Sequence, residues 1–360
     1  VIVETYLTGM EFSCVVIEDQ MDNPFPLPPT EIVLEVGSHI FDYTQKYMPG
    51  RATKHTPARC SAEILKKIQE TCCRVKQILQ MDTIARIDGF VTNDHQIYII
   101  DPNSLSGMGP TTFIFLQAAE LKISHTELIN HLIDTDLKRY GMELNSQSKN
   151  NMINTPKIKV GVLLGGASNE REVSLESGRN VIYKLSPHKY EAIPLFIDQN
   201  HEIYQISQQL LVRNTTQEIN AGLNPEQKVL WSDLPKLIDF VFIALHGGIG
   251  ENGAVQGALE TLNLPYNGSS VFASALCLDK YKTNQLLSNS GFNTAQNYLI
   301  AKTNWSADQA SELSKIKLSL TYPMIIKPHD DGCSVMVQQA KNDEELILAV
   351  NLIFKTKNFV

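Results

Sequence analysis

Apolar and polar positions divide the chain into two patterned stretches around a polar one. From Asn145 to Pro156 the sequence NSQSKNNMINTP has no apolar periodicity and reads as a linker. Beyond it, Lys159 to Leu164 forms a mostly apolar strand closed by Gly165-Gly166. Asn169 and Glu172 have capping-box spacing, so a helix is expected to start there. Tyr190 to Ile197 and Ile238 to Leu245 are two further strands, the second followed by HGGIGENG and a helix, AVQGALETL. Strands alternating with helices imply a parallel sheet with covering helices, an α/β fold. Val271 to Leu287 predicts one more helix, and PMIIKPHDDGCSVMV predicts strand, tight loop, strand.

Before the linker, VIVE and EFSCVVIED are β-type runs, followed by Pro-rich PFPLPPTE and a strand, IVLEV. Ser61 to Gln80 places Ile64, Leu65, Ile68, Cys72, Val75, Ile78 and Leu79 on one helical face. Two β runs follow, Ile84 to Thr92 and Gln96 to Ile100, and Ser124 with Glu127 caps a last helix, ELINHLIDTDLKRY.

At roughly 150 residues per domain, 360 residues suggest two or three domains. An apolar share of 43% can fill large cores. The net charge of −8 argues against a broad nucleic-acid-binding face but leaves room for a local phosphate pocket. No apolar run approaches the roughly 20 residues that cross a bilayer. The opening VIVETYLTGMEF has neither the basic nor the apolar region of a signal peptide. It also lacks an initiator Met, as expected of a processed product or a piece of something longer. The six cysteines form no CxxC pair, which argues against zinc and thioredoxin-type chemistry. Most of them read as small core residues, and a reducing, cytoplasmic setting fits best.

The sequence ARIDGFVTNDHQIYIIDPNSLSGM, Ala85 to Met108, carries the first candidate chemistry. With the turn centred on Asp94 and His95, Asp88 pairs across from Asp101 and Arg86 from Asn103, all four on one face. Directly opposed Cβ atoms lie about 4.5–5.5 Å apart, so two carboxylates there repel unless a cation intervenes. An all-oxygen set suits Mg²⁺ or Mn²⁺. Two readings stand: a cation site, or a solvated hairpin face with Arg86 as counter-ion.

The same residues resemble the metal-binding end of D-alanine–D-alanine ligases, members of the ATP-grasp superfamily. GGASNEREVSL resembles the family's opening motif; HGGIGENGAVQG, LPYNGSS and LDKYKT resemble its next three; IIKPHDDGCSV resembles its phosphate loop. The resemblance implies an ATP-grasp fold with a Rossmann-like N-terminal-type domain, in circularly permuted order. Residues 1–144 would be the C-terminal-type domain, 145–156 the linker, 157–268 the N-terminal-type domain and 269–360 the central-type domain. The C-terminal NLIFKTKNFV runs almost seamlessly into VIVETYLTGMEF. A permuted single ligase and a window of a tandem fusion are both consistent with this, the tandem origin slightly favoured.

The resemblance further implies ATP-dependent ligation of two D-alanines through an acyl phosphate, for peptidoglycan precursors. Glu170 would hold the first ammonium, and His246 would line the amino-acid pocket. Lys280, Lys327 and Lys46 would face ATP phosphates, with Glu4 and Glu11 on the adenine and ribose side. Tyr47, on a closing loop, would join Glu170 and a loop serine, and as Tyr rather than Phe it points to D-alanine as second substrate. Arg86 and the Gly107 N–H would form the oxyanion hole, Thr112 would bind the second carboxylate, and Asp88, Asp101 and Asn103 would hold Mg²⁺ or Mn²⁺. The expected partners are ATP and D-alanine, with no nucleic acid and no membrane, and a homodimer is compatible. Four positions depart from the family pattern: Asn252 for Asp, Asp101 for Glu, Cys333 (with Ser334 next to it) for the loop serine, and Met336 for Gly. They keep alive two rivals, a degenerate nucleotide-binding unit and a ligase for another D-amino or D-hydroxy acid.

Overall fold

The computed structural model describes residues 1–35, 37, 51–142, 157–332 and 336–356, so the linker and the positions of Lys46, Tyr47, Cys333 and Ser334 lie outside the described residues. In chain order the strands are β1 (Ile2–Thr5), β2 (Met10–Glu18), β3 (Pro24–Pro26), β4 (Thr30–Val33), β5 (Thr53–His55), β6 (Ile84–Val91) and β7 (Ile97–Asn103). Then come β8 (Ile158–Gly165), β9 (Tyr190–Ile197), β10 (Ile203–Gln205), β11 (Lys228–Val229) and β12 (Phe240–Ile243). The last are β13 (Asn293–Thr294), β14 (Asn297–Leu299), β15 (Met324–Lys327) and β16 (Gln338–Ala340).

Three sheets form. The largest runs β13-β7-β6-β2-β4-β5, with β3 beside β2. Phe12, Cys14 and Val16 of β2 share a core with Ile68, Cys72 and Val75 of the amphipathic helix Ala62–Ile78. Val15 and Ile17 point the other way, toward helices Phe113–Glu120 and His125–Arg139. The first of these helices was not legible: FIFLQAAE is short and nearly all apolar, so it carries no periodicity. Its Gln117, fully buried, accepts from Val15 N at 2.9 Å and donates to Ser13 O at 2.8 Å and Thr30 Oγ1 at 3.1 Å. Gln117→Leu leaves those strand groups unpaired and is expected to cost about 2–4 kcal/mol, read as a lowered urea midpoint.

The second sheet, β11-β10-β9-β8-β12, is parallel only across β8, β9 and β12; β10 and β11 add an antiparallel edge. Helix Arg171–Lys184 begins one residue after Glu170, not on an Asn169–Glu172 box. Glu172 turns aside to accept from Thr216 Oγ1 at 2.5 Å. The third sheet, β14-β1-β15-β16, brings residues 2–5 between 297–299 and 324–327. Where one helix was expected over 271–287 there are two, Val271–Leu278 and Lys280–Asn289. Asp279 breaks them and caps the second through Lys282 N at 3.1 Å, so Lys280 opens a helix.

The β6–β7 hairpin sets the register of the site. Asp88 lies opposite Asp101 and Arg86 opposite Asn103, as expected. The turn, however, centres on Asp94: Thr92 N donates to Gln96 O, and His95 takes φ +61°. That register alone would put Ile100 opposite Asp88. A bulge between Asp88 and Gly89 admits one extra residue on β7. Ile97 and Ile99 therefore stay in the core, while Ile100, Asp101 and Asn103 all face the cleft.

Candidate active site

A cavity of about 690 Å³ opens where the three sheets meet. Glu4, Glu11, Arg86, Asp88, Asp101, Asn103, Gly107, Thr112, Glu170, His246, Lys280 and Lys327 all line it. Every sequence-derived candidate that lies among the described residues is therefore in one place.

Asp88 is held on three sides. Ser13 Oγ donates to its Oδ1 at 2.7 Å, Arg86 Nε to its Oδ2 at 3.2 Å, and Asn103 Nδ2 lies 3.5 Å from the same oxygen. Asp101 Oδ1 pairs with Lys280 Nζ at 3.0 Å. Two carboxylates and an amide oxygen on one face are a hard-oxygen set that suits Mg²⁺, so the residues present fit that ion. Among the described residues no group of three or more His, Cys, Asp or Glu could hold a metal, which leaves oxygen from Asn103 and from substrate to complete any such set.

Lys327 Nζ pairs with Glu4 Oε2 at 2.6 Å, and Asn284 Nδ2 donates to Glu4 Oε1 at 3.1 Å. Lys280 Nζ also donates to Asp331 O at 3.1 Å, and its own N–H to His329 O at 2.8 Å. Burial pushes the Lys280 ammonium down, but Asp101, with Glu4 and Glu251, holds it above its ordinary value. Both lysines are thus fixed at the cleft wall by carboxylates, Lys280 by Asp101 and Lys327 by Glu4.

Glu170 is 8% exposed, and Ser168 Oγ accepts its N–H at 3.1 Å. Its side chain makes no cap and reaches the cavity, where a Cβ on Gly332 would stand 2.7 Å from Oε2. Gly247, at φ +67°, turns the chain beside it. His246 is set from both ring nitrogens, by Ser177 Oγ at 2.9 Å and Glu251 Oε1 at 3.4 Å. Burial pushes the Glu251 carboxyl up, but His246, the Gly247 N–H and Arg86 hold it below its ordinary value. Thr112 Oγ1 donates to Gly107 O at 2.5 Å, which shapes the loop that presents the Gly107 N–H.

Met336 stands at φ +69°, a left-handed backbone that explains why glycine suits the position. Its side chain packs on the core of the β14-β1-β15-β16 sheet, and Val337 lines the cleft. Ser13, Lys54, Ser106 and Asn284 were missed. Ser106 Oγ is buried without a hydrogen-bond partner among the described residues, next to Gly107. None of the four carries a local motif; each acquires its place from pairings distant in sequence.

With this geometry in hand, the family models agree. D-ala D-ala ligase N-terminus matches residues 159–269, and D-ala D-ala ligase C-terminus matches residues 1–134 and 286–360. The chain belongs to the D-alanine–D-alanine ligase family, an ATP-grasp family, with its parts in permuted order. D-alanine–D-alanine ligase of Natranaerobius thermophilus is 35% identical over 215 residues, 55% of this chain and 57% of that protein. The Geobacillus thermodenitrificans enzyme of the same name is 34% identical over 211 residues, 55% and 58% of the two chains. The chain thus spans a little over half the length of the curated relatives it matches. Among solved structures, VanG D-Ala:D-Ser ligase from Enterococcus faecalis gives a TM-score of 0.48 at 28% identity, covering 56% of this chain and 60% of that one. Among the described residues no helix is long and apolar enough to cross a membrane.

Proposed function

We propose that this chain joins two D-alanines in an ATP-dependent reaction through an acyl phosphate, for peptidoglycan precursors. The observation that carries this reading is the convergence of Arg86, Asp88, Asp101 and Asn103 with Lys280, Lys327 and Glu170 in one cleft. The two curated relatives named above, from Natranaerobius thermophilus and Geobacillus thermodenitrificans, are D-alanine–D-alanine ligases, which supports the same substrate.

Glu170 would bind the ammonium of the donor D-alanine and leave its carboxylate toward the lysines. Lys280 and Lys327 would hold the γ-phosphoryl group in line with that carboxylate, while Glu4 and Glu11 bind the nucleoside end. Phosphoryl transfer gives the acyl phosphate and ADP. Bound Mg²⁺ would be held by Asp88, Asp101 and Asn103 and would offset phosphate charge. The acceptor amine, having lost its proton, then attacks the acyl carbon, and phosphate leaves. Arg86 and the Gly107 N–H would stabilise the oxyanion, typically about 3–4 kcal/mol per donor. Thr112 would meet the acceptor carboxylate. The roles of Lys46, Tyr47, Cys333 and Ser334 rest on the resemblance alone.

Phosphate release from ATP, measured with and without D-alanine, tests the reading. The expected result is release that depends on D-alanine, with D-alanyl-D-alanine as product. ATP binding with no D-alanine-dependent release would favour a nucleotide-binding unit, and release with a different D-amino or D-hydroxy acid alone would move the substrate assignment.

A further inference from the structure

Lys54 lies on β5, at the edge of the largest sheet, yet register carries it to the cleft. Lys54 pairs with Ile32, Ile32 with Glu11 and Glu11 with Phe90, so the four share a face, and all four line the cavity. Lys54 Nζ stands 4.8 Å from the centre of the Phe113 ring, immediately after Thr112. The other cleft lysines each have a carboxylate, Glu4 for Lys327 and Asp101 for Lys280. Lys54 makes no ion pair among the described residues. The charge that bears on it is the Arg86 guanidinium, and burial together with that like charge lowers its ammonium below the ordinary value. Lys280 sits against β7, across the sheet from β5, so the two cations serve opposite ends of the cleft. A half-buried ammonium over an aromatic ring, sharing its cleft with a guanidinium and in no ion pair with the cleft carboxylates Glu11 and Glu31, is an arrangement that an anion completes.

We infer that Lys54 is a specificity-determining residue: with Arg86 and the Thr112 end of the cleft it receives the carboxylate of the acceptor amino acid, and selects acceptors bearing one over neutral analogues. This rests on the ligase reading above. The acceptor carboxylate is favoured over nucleotide phosphate because Lys54 reaches toward Phe113, not toward Glu4 and Lys327.

The test is a competition. The protein is given ATP, D-alanine and D-alaninamide, which lacks the carboxylate and serves only as acceptor. The ratio of D-alanyl-D-alanine to D-alanyl-D-alaninamide is measured by mass spectrometry. The unaltered chain is expected to favour the dipeptide acid. Lys54→Met should lower the ratio roughly tenfold or more, the loss of one charge-assisted contact, and Lys54→Arg should restore most of it. ATP affinity, measured by direct titration, should hold in both variants. An unchanged ratio in Lys54→Met overturns the inference, and a fall in ATP affinity with the ratio intact assigns Lys54 to phosphate instead. An unaltered chain that makes neither product fails at the earlier reading, and the role of Lys54 falls with it.

Discussion

On the proposed ligase reading, Arg86→Ala is expected to lower dipeptide formation by about a thousandfold while ATP binding stays measurable. The size follows from the proposed oxyanion role, since loss of one such donor costs about 10²–10³ in turnover. A second effect adds to it. Arg86 NH2 lies 3.2 Å from Asp88 Oδ2, so its removal also leaves a carboxylate opposite Asp101 without its nearest counter-charge. Arg86→Lys restores charge but not the planar fork, and recovers part of the activity. Single-turnover rates, with ATP affinity measured separately, check both variants. Unchanged turnover in Arg86→Ala would remove the guanidinium from the oxyanion role.

Gly89→Ala is expected to destabilise the protein by about 3 kcal/mol or more, with loss of activity besides. A Cβ there would meet Tyr98 O at 2.3 Å and the Phe12 ring at 2.7 Å. Neither can yield cheaply. Tyr98 O belongs to the ladder, and Phe12 is fully buried in the core beneath the hairpin. The strands must part at the position where the bulge aligns Asp88 with Asp101. Urea denaturation gives the stability, and a midpoint equal to that of the unaltered chain would show that the hairpin tolerates the methyl group.

The hairpin could be found in the sequence because its polar residues alternate along each strand near a polar turn. Its register was less secure. The turn assumed on Asp94 and His95 is off by half a step, and the bulge restores the alignment. The strand Tyr190–Ile197 and the capping box at Ser124 were also legible, since both depend on neighbours in sequence. The break at Asp279 was read through although its cap is local; what separates the two helices in the fold is also a tertiary contact, Lys280 N donating to His329 O. The capping box expected on Asn169 and Glu172 is absent: Glu172 accepts from Thr216, and no side chain caps the helix at Glu170. Lys54 lay beyond reach, since its orientation depends on three successive strand pairings across β6, β2, β4 and β5. Ser106 is invisible for a related reason, a small polar residue in a loop until burial strands its hydroxyl.

Strand β1 has a kinetic consequence. Ile2 and Val3 are fully buried between β14 and β15, and the Val1 ammonium meets the Ile300 carbonyl across 299 positions of sequence. Both of its partners lie far along the sequence, so this sheet closes only through contacts of high sequence separation. Until Met324–Lys327 pairs with it, its apolar side chains lack their native cover, a state that invites mispairing. Glu4 rides on the same strand and meets Lys327 only when that late pairing closes. The nucleotide end of the cleft is therefore expected to be among the last parts of the molecule to assemble.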